Sequence, residues 1–172
     1  MIILIFAMTK QYVIGHGEHL PWKIKEELRL FRWLTTENNV LMGRKTFSSI
    51  GKFLPRRMNL ILTKNKKLLL ENKLFQQHQE TNNMWKIITN LKKCLTTFSS
   101  KQQKLFVIGG ANVFQQAFPF ADYLYASILN ELYSGDVYFP LKNWFNFQIV
   151  SIFWFNDFKT MIYKKEKFFR IQ

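Results

Sequence analysis

Leu105–Phe114 (LFVIGGANVF) reads as a short apolar strand that breaks at Gly109-Gly110 and restarts as a helix. Upstream, Val40–Phe47 (VLMGRKTF) repeats the pattern: an apolar strand ends in Gly43-Arg44-Lys45-Thr46 and a short helix follows. Strands that alternate with helices along a chain mark an α/β sheet. Working outward, strands are expected over Ile2–Met8, Asn39–Met42, Asn59–Thr63, Lys104–Ile108 and Tyr123–Ile128. Helices are expected over Ile24–Thr35, Thr46–Ile50, Met84–Phe98 and Asn112–Phe118. The last quarter changes character. Gln148–Phe155 and Thr160–Arg170 are β-rich runs around Asn156-Asp157, which predicts an antiparallel hairpin at one edge. Lys64–Gln103 is the least legible stretch, and its Gln- and Asn-rich portion is expected to be exposed.

The chain has 172 residues, enough for one compact domain, and nothing in it marks a linker or a repeat. Its 48% hydrophobic and 17% aromatic content excludes a disordered tail. The apolar opening Met1–Met8 stops at Thr9-Lys10, too soon to span a bilayer, and no basic segment precedes it as in a signal peptide. A buried first strand is expected instead, with no membrane partner. The lone Cys94 excludes an internal disulfide and points to a reducing, cytoplasmic compartment. His16, His19, His78 and Cys94 have no complete metal-ligand spacing, so no metal is expected. Lys and Arg outnumber Asp and Glu by 25 to 11, a net charge of +14. Such charge suits a polyanionic partner, but a nucleic-acid module gathers its charge on one element. Here the lysines are dispersed, with short clusters only at Lys64–Lys67 and Lys164-Lys165, so a lysine-rich surface is the preferred reading.

Four segments can carry chemistry. The first is the glycine loop Gly15–Trp22 (GHGEHLPW) and the helix after it, on which Ile24, Glu27, Leu28, Phe31 and Leu34 share a face. Glu26 points about 100° away, where Arg29 can meet it at i+3. A carboxylate inside an apolar stripe should have a raised pKa, as does a group that grips a polar ligand edge or manages a proton. At the stripe's border it would simply reach water. The second is the Gly43–Thr46 turn, whose backbone N–H groups, hydroxyl and two cations suit a dinucleotide's phosphates, although its glycine spacing is not that of a P-loop. The third is Gly109-Gly110, where bare backbone permits a flat ring or a pyrophosphate to approach, or merely makes a tight turn. The fourth is Leu54-Pro55-Arg56-Arg57, in which an arginine can clamp an acidic tail or stand solvated.

Taken in order, these segments resemble the dihydrofolate reductase family. The resemblance rests on Val13-Ile14-Gly15, Leu20-Pro21-Trp22, Glu27-Leu28 with Phe31, Met42–Phe47 and Ser49-Ile50-Gly51. It continues through Leu54-Pro55 with Arg57 and Asn59, Val107–Gly110, Ser134-Gly135-Asp136 with Phe139-Pro140, and a Tyr163–Arg170 edge strand. It implies one α/β domain over residues 1–172, with a mostly parallel twisted sheet of about eight strands, an antiparallel C-terminal edge strand and about four flanking helices. It also implies NADPH-dependent reduction of dihydrofolate to tetrahydrofolate by a cytoplasmic monomer that antifolates would inhibit and that needs no nucleic acid.

On that resemblance the catalytic group is Glu27, Trp22 and Ser127. Glu27 would hold the amino-pyrimidine edge and favour protonation of the imine nitrogen through water, and Ser127 would hydrogen-bond the Glu27 carboxylate. Ile5, Phe6, Leu28, Phe31, Ile50, Leu54 and Ile108 would wall the substrate, and Arg57 would clamp its glutamate tail. Ala7, Ile14, Gly15 and Leu20 would meet the nicotinamide end of NADPH. Gly43, Lys45, Thr46, Gly109, Gly110, Ala111, Asn112, Val113 and Phe114 would hold the pyrophosphate region. Arg44, Thr63 and Lys64 would surround the 2′-phosphate, and Leu62 would also bind the cofactor. The chain departs from the family's pattern at Phe6, Arg56 and Phe114, where a small residue, a glycine and a tyrosine are frequent. The alternatives are a reductase of the same fold acting on another heterocycle, such as a riboflavin-pathway pyrimidine, a non-catalytic folate-binding relative, and a basic nucleic-acid-binding module.

Overall fold

The computed structural model describes residues 1–71, 84–100, 103–141 and 143–166. Ten strands are described: β1 (Ile2–Met8), β2 (Val13–Gly15), β3 (Asn39–Gly43), β4 (Met58–Leu62), β5 (Trp85–Ile88), β6 (Leu105–Gly109), β7 (Tyr123–Leu129), β8 (Val137–Tyr138), β9 (Phe147–Trp154) and β10 (Phe158–Lys165). The described helices are α1 (Lys25–Thr35), α2 (Arg44–Ile50), α3 (Lys66–Leu70), α4 (Leu91–Ser100) and α5 (Ala111–Ala117), with one 3-10 turn at Phe118–Phe120. Eight strands form one sheet in the order β5-β4-β3-β6-β1-β7-β10-β9. All its neighbours are parallel except β10, which runs antiparallel to both β7 and β9.

The apolar strands explain the parallel centre. β1, β3 and β6 carry almost no polar side chains because both faces are covered. Alternation along β1 divides the core. Leu4 and Phe6 join a large cluster with Phe114 and Phe139 on one face, while Ile3 and Ile5 join Val40, Met42, Phe47 and Phe53 on the other. α1 lies on the second face, where Phe31 and Leu34 pack against that cluster.

The expected helix over Met84–Phe98 is corrected. Trp85–Ile88 instead adds a parallel strand beside β4, and the helix begins only at Leu91, where the Asn90 side chain accepts a hydrogen bond from the Lys93 N–H at 2.9 Å. Trp85, Ile87 and Ile88 favour a pleated surface, and pairing with β4 lets this preference prevail over an accidental helical spacing. The Gln- and Asn-rich portion expected to be exposed, and the end of the hairpin beyond Glu166, lie outside the described residues.

The short pair β2 and β8 fixes the glycine loop. A Cβ on Gly135 would collide with the Gly15 carbonyl and the Val13 side chain, so only glycine lets these segments approach so closely. Asp136 then accepts the Gly17 N–H at 2.7 Å, and the Ser49 hydroxyl donates to the Glu18 carbonyl. His16 and His19 bridge through reciprocal backbone bonds of 2.8 and 3.0 Å. Among the described residues no helix is long and apolar enough to cross a membrane.

Candidate active site

Glu27 occupies the first turn of α1 and is turned toward the sheet, 8% exposed. It lines a narrow cleft with Ile5 of β1, Leu30, Phe31 and Leu34 of α1, Tyr125 and Ser127 of β7, and Thr160 of β10. Burial pushes its carboxyl pKa up from 4.5 to about 7. Among the described residues no cation pairs with it and no hydrogen bond reaches it. Nearby, Trp22 is buried against Tyr133 at the edge of a cluster containing Ile24 and Phe158. Its Nε1 is the one fully buried side-chain donor or acceptor among the described residues with no hydrogen-bond partner. A lone buried N–H costs roughly 1–3 kcal/mol, so both groups fit a site completed by a polar ligand.

Three sequence expectations for this cleft are corrected. Ser127 does not bond Glu27; its hydroxyl lies 3.0 Å from Thr160 Oγ1, because the β7–β10 register sets Thr160 directly opposite. Phe6 is not on the Glu27 side: strand alternation turns it to the opposite face, where it stacks on Phe139 at 4.0 Å and meets Phe114 and Trp144 edge-on. Glu26 and Arg29 are both exposed and form no ion pair. Leu28 stands 50% exposed beyond the cleft lining, and Leu30, three residues from Glu27 on the helix, turns inward in its place. The remaining expected walls gather on one side. Ile5 and Leu54 are buried in the same cluster against which Phe31, Ile50 and Ile108 pack. Sequence reading missed Thr160, Leu30 and Tyr125; pairing the expected hairpin with the Tyr123–Ile128 strand would have placed Thr160 beside Ser127.

Arg57 is 4% exposed. Its Nη1 donates to Thr35 Oγ1 at 2.8 Å and its Nε to the Pro55 carbonyl at 3.1 Å, which leaves Nη2 without a partner among the described residues. Burial and then the charge of Arg32 pull its pKa below the ordinary value. Among the described residues no carboxylate pairs with it. A buried guanidinium without an anion is expensive, so this position is built to receive one. Arg56, by contrast, is exposed and pairs with Glu37.

On the other side, the ends of β3 and β6 lie together, with Met42 paired to Gly109. A Cβ on Gly43 would stand 3.2 Å from Val113 Cγ2, and one on Gly110 would stand 3.3 Å from Thr46 Oγ1. Gly109 has φ +113°, and a side chain there would press on the Phe114 ring at 3.1 Å. The two glycine turns singled out in the sequence therefore form one cradle of bare backbone, flanked by Thr46, Ala111 and Asn112. Ile14 and Gly15 are buried beside β8, Ala7 packs toward Trp22, and Leu20 is 48% exposed. Arg44 is half-buried, Lys45 and Lys64 are exposed, and Leu62 is half-buried at the end of β4. Thr63 has its hydroxyl committed within its own turn, donating to the Asn65 carbonyl at 3.0 Å and accepting the Asn65 N–H at 3.2 Å. Its backbone N–H is bound to Ile88, so neither donor is left for a phosphate.

Comparison with known proteins agrees with this arrangement. The dihydrofolate reductase family pattern matches residues 1–164. The chain is 35% identical over 151 residues to the dihydrofolate reductase of Bacillus subtilis, covering 88% of this chain and 82% of that one. It is 31% identical over 167 residues to that of Mycoplasma genitalium, covering 97% and 99%. It superposes with a TM-score of 0.80 on a dihydrofolate reductase from Enterococcus faecalis complexed with NADP(H) and RAB-propyl, at 24% identity and with 97% of each chain covered. A family match over residues 1–164 and relatives at 31–35% identity, covered over more than four fifths of their length, show that the chain belongs to the dihydrofolate reductase family.

Proposed function

We propose that this chain reduces 7,8-dihydrofolate to 5,6,7,8-tetrahydrofolate with NADPH. The observation that carries the proposal is the Glu27 carboxyl, buried in the cleft between α1 and the sheet and without a partner among the described residues. Such a group binds a ligand edge rich in N–H donors and is poised to exchange a proton near neutral pH. Glu27 holds the amino-pyrimidine edge and favours protonation at the imine nitrogen. Trp22 Nε1 supplies a donor to the same polar edge or to a water bridging the two. Phe31, Ile50, Leu54 and Ile108, with the half-exposed Leu28, cover the flat rings and exclude water. Arg57 takes the tail carboxylate through the donors its neighbours leave free.

The cofactor's chemistry, when bound, is delivery of hydride to the pterin imine carbon. The glycine cradle fits it, because bare backbone at Gly43, Gly109 and Gly110 lets a pyrophosphate come close. Thr46 offers a hydroxyl there, Phe114 fixes the shape of the Gly109 turn, and Arg44 and Lys64 supply charge for a 2′-phosphate. The test is the fall in NADPH absorbance when dihydrofolate is added, and its abolition by methotrexate. No fall with active-site concentrations verified by ligand titration would refute the proposal.

A further inference from the structure

The Gly109-Gly110 turn has no side chain of its own to set its shape, and glycine backbone is free to take many shapes. Its neighbours must hold it. Phe114 does so twice. Its backbone N–H donates to the Gly110 carbonyl at 3.0 Å, and its ring stands 3.1 Å from where a Cβ on Gly109 would lie. Phe114 is held in turn by Phe6. Leu4 pairs with Val107, so two residues on Phe6 comes level with Gly109, and both face the cluster that contains Phe114. The Phe6 backbone is fixed in a central strand, with Ala126 of β7 beside it. Its buried ring meets Phe114 edge-on, centroids 5.6 Å apart, and stacks on Phe139 at 4.0 Å. Phe139 touches Phe114 at 5.4 Å, so the three close-packed rings form a triangle in which none moves alone.

We infer that Phe6 is a positioning residue for the cofactor: through Phe114 it holds the Gly109-Gly110 turn in the shape that admits a pyrophosphate. The inference rests on the reading above that this turn belongs to the NADPH cradle. Alternation along β1 gives it a direction. Ile5, the adjacent residue, walls the Glu27 cleft from the opposite face, so a change at Phe6 reaches the cofactor side and spares the substrate side. Removing the ring opens a void into which Phe114 can tilt, and the turn then loses the wall that shapes it. Phe139 is a less direct probe, because its backbone N–H donates to the Tyr12 carbonyl beside β2 at 2.7 Å.

Titration of tryptophan fluorescence with NADPH and, separately, with dihydrofolate tests this. Phe6→Ala should raise the NADPH dissociation constant at least about tenfold and move that for dihydrofolate by less than about twofold. Phe6→Leu keeps most of the volume and should lie between alanine and wild type. It carries the test, at about threefold or more, if Phe6→Ala fails to fold. Leu105→Ala empties part of the same cluster at the far end of β6, four residues from Gly109. It should lower Tm at least as much as Phe6→Leu and leave NADPH affinity within about twofold of wild type. A folded Phe6 variant that binds NADPH as the wild type does overturns the inference alone. Equal loss for both ligands, or an equal loss of NADPH affinity in Leu105→Ala, overturns it too. A wild-type chain that binds no NADPH would remove the cradle, and with it both the reading above and this inference.

Discussion

Ser127 Oγ and Thr160 Oγ1 share a hydrogen bond of 3.0 Å inside the cleft that Glu27 lines, so the hydroxyl nearest in kind to a partner for the carboxylate is engaged across the strands instead. Either oxygen can donate. The arrangement leaves Glu27 desolvated and unassisted, which is why its pKa stands at about 7. Thr160→Val frees the Ser127 hydroxyl to turn toward the carboxylate. A hydrogen bond to the charged form lowers a pKa, so the acidic limb of the kcat/KM profile should move down by roughly 0.5–1 unit. A profile that stays in place would mean Ser127 cannot reach Glu27.

Burying the Glu27 charge also costs stability. Its folded pKa is raised, so folding favours the neutral form. Below about pH 4.5 both the folded and unfolded chains hold the proton and the charge carries no penalty. Between about pH 4.5 and 7 the unfolded chain releases its proton first, and stability falls as pH rises. Above about pH 7 the penalty is complete, on the order of 3 kcal/mol. Glu27→Gln should therefore raise the Tm of the ligand-free protein at pH 8 by several degrees and leave it nearly unchanged at pH 4. An equal shift at both values would show that charge is not the cause.

Arg57 is buried with no anion beside it among the described residues, and Thr35 and Pro55 hold it in place. Arg57→Ala should weaken dihydrofolate binding by roughly 2–4 kcal/mol, measured by calorimetry, and leave NADPH affinity nearly intact. Equal loss for both ligands would remove the arginine from the substrate tail.

The Thr63 hydroxyl is tied into its own turn, so preference for NADPH over NADH should rest on Arg44 and Lys64. Replacing both with alanine should lower the ratio of kcat/KM values for the two cofactors by at least about tenfold, whereas Thr63→Val should leave it nearly unchanged. The reverse ordering would place the 2′-phosphate on Thr63.

The sequence made the parallel core and the glycine turns legible because each is a local signal: an apolar run, a glycine, a helical start. Glu27 was legible for the same reason, as one carboxylate in an otherwise apolar stripe. What was hidden depends on tertiary pairing. Thr160 becomes a cleft residue only through the antiparallel register with β7, and Phe6 leaves the cleft only because β1 alternates between two covered faces. Trp85–Ile88 carries a β-preference too short to outweigh the helical spacing read across it, and only β4 beside it decides the strand.

Turnover of Glu27→Gln across pH tests the central chemical claim most directly. Near neutral pH the variant should lose roughly 10²–10⁴-fold in kcat, with partial recovery at low pH, where dihydrofolate is protonated in solution. A variant that keeps wild-type activity from acid to alkaline pH would show that the buried carboxyl takes no part in the reaction.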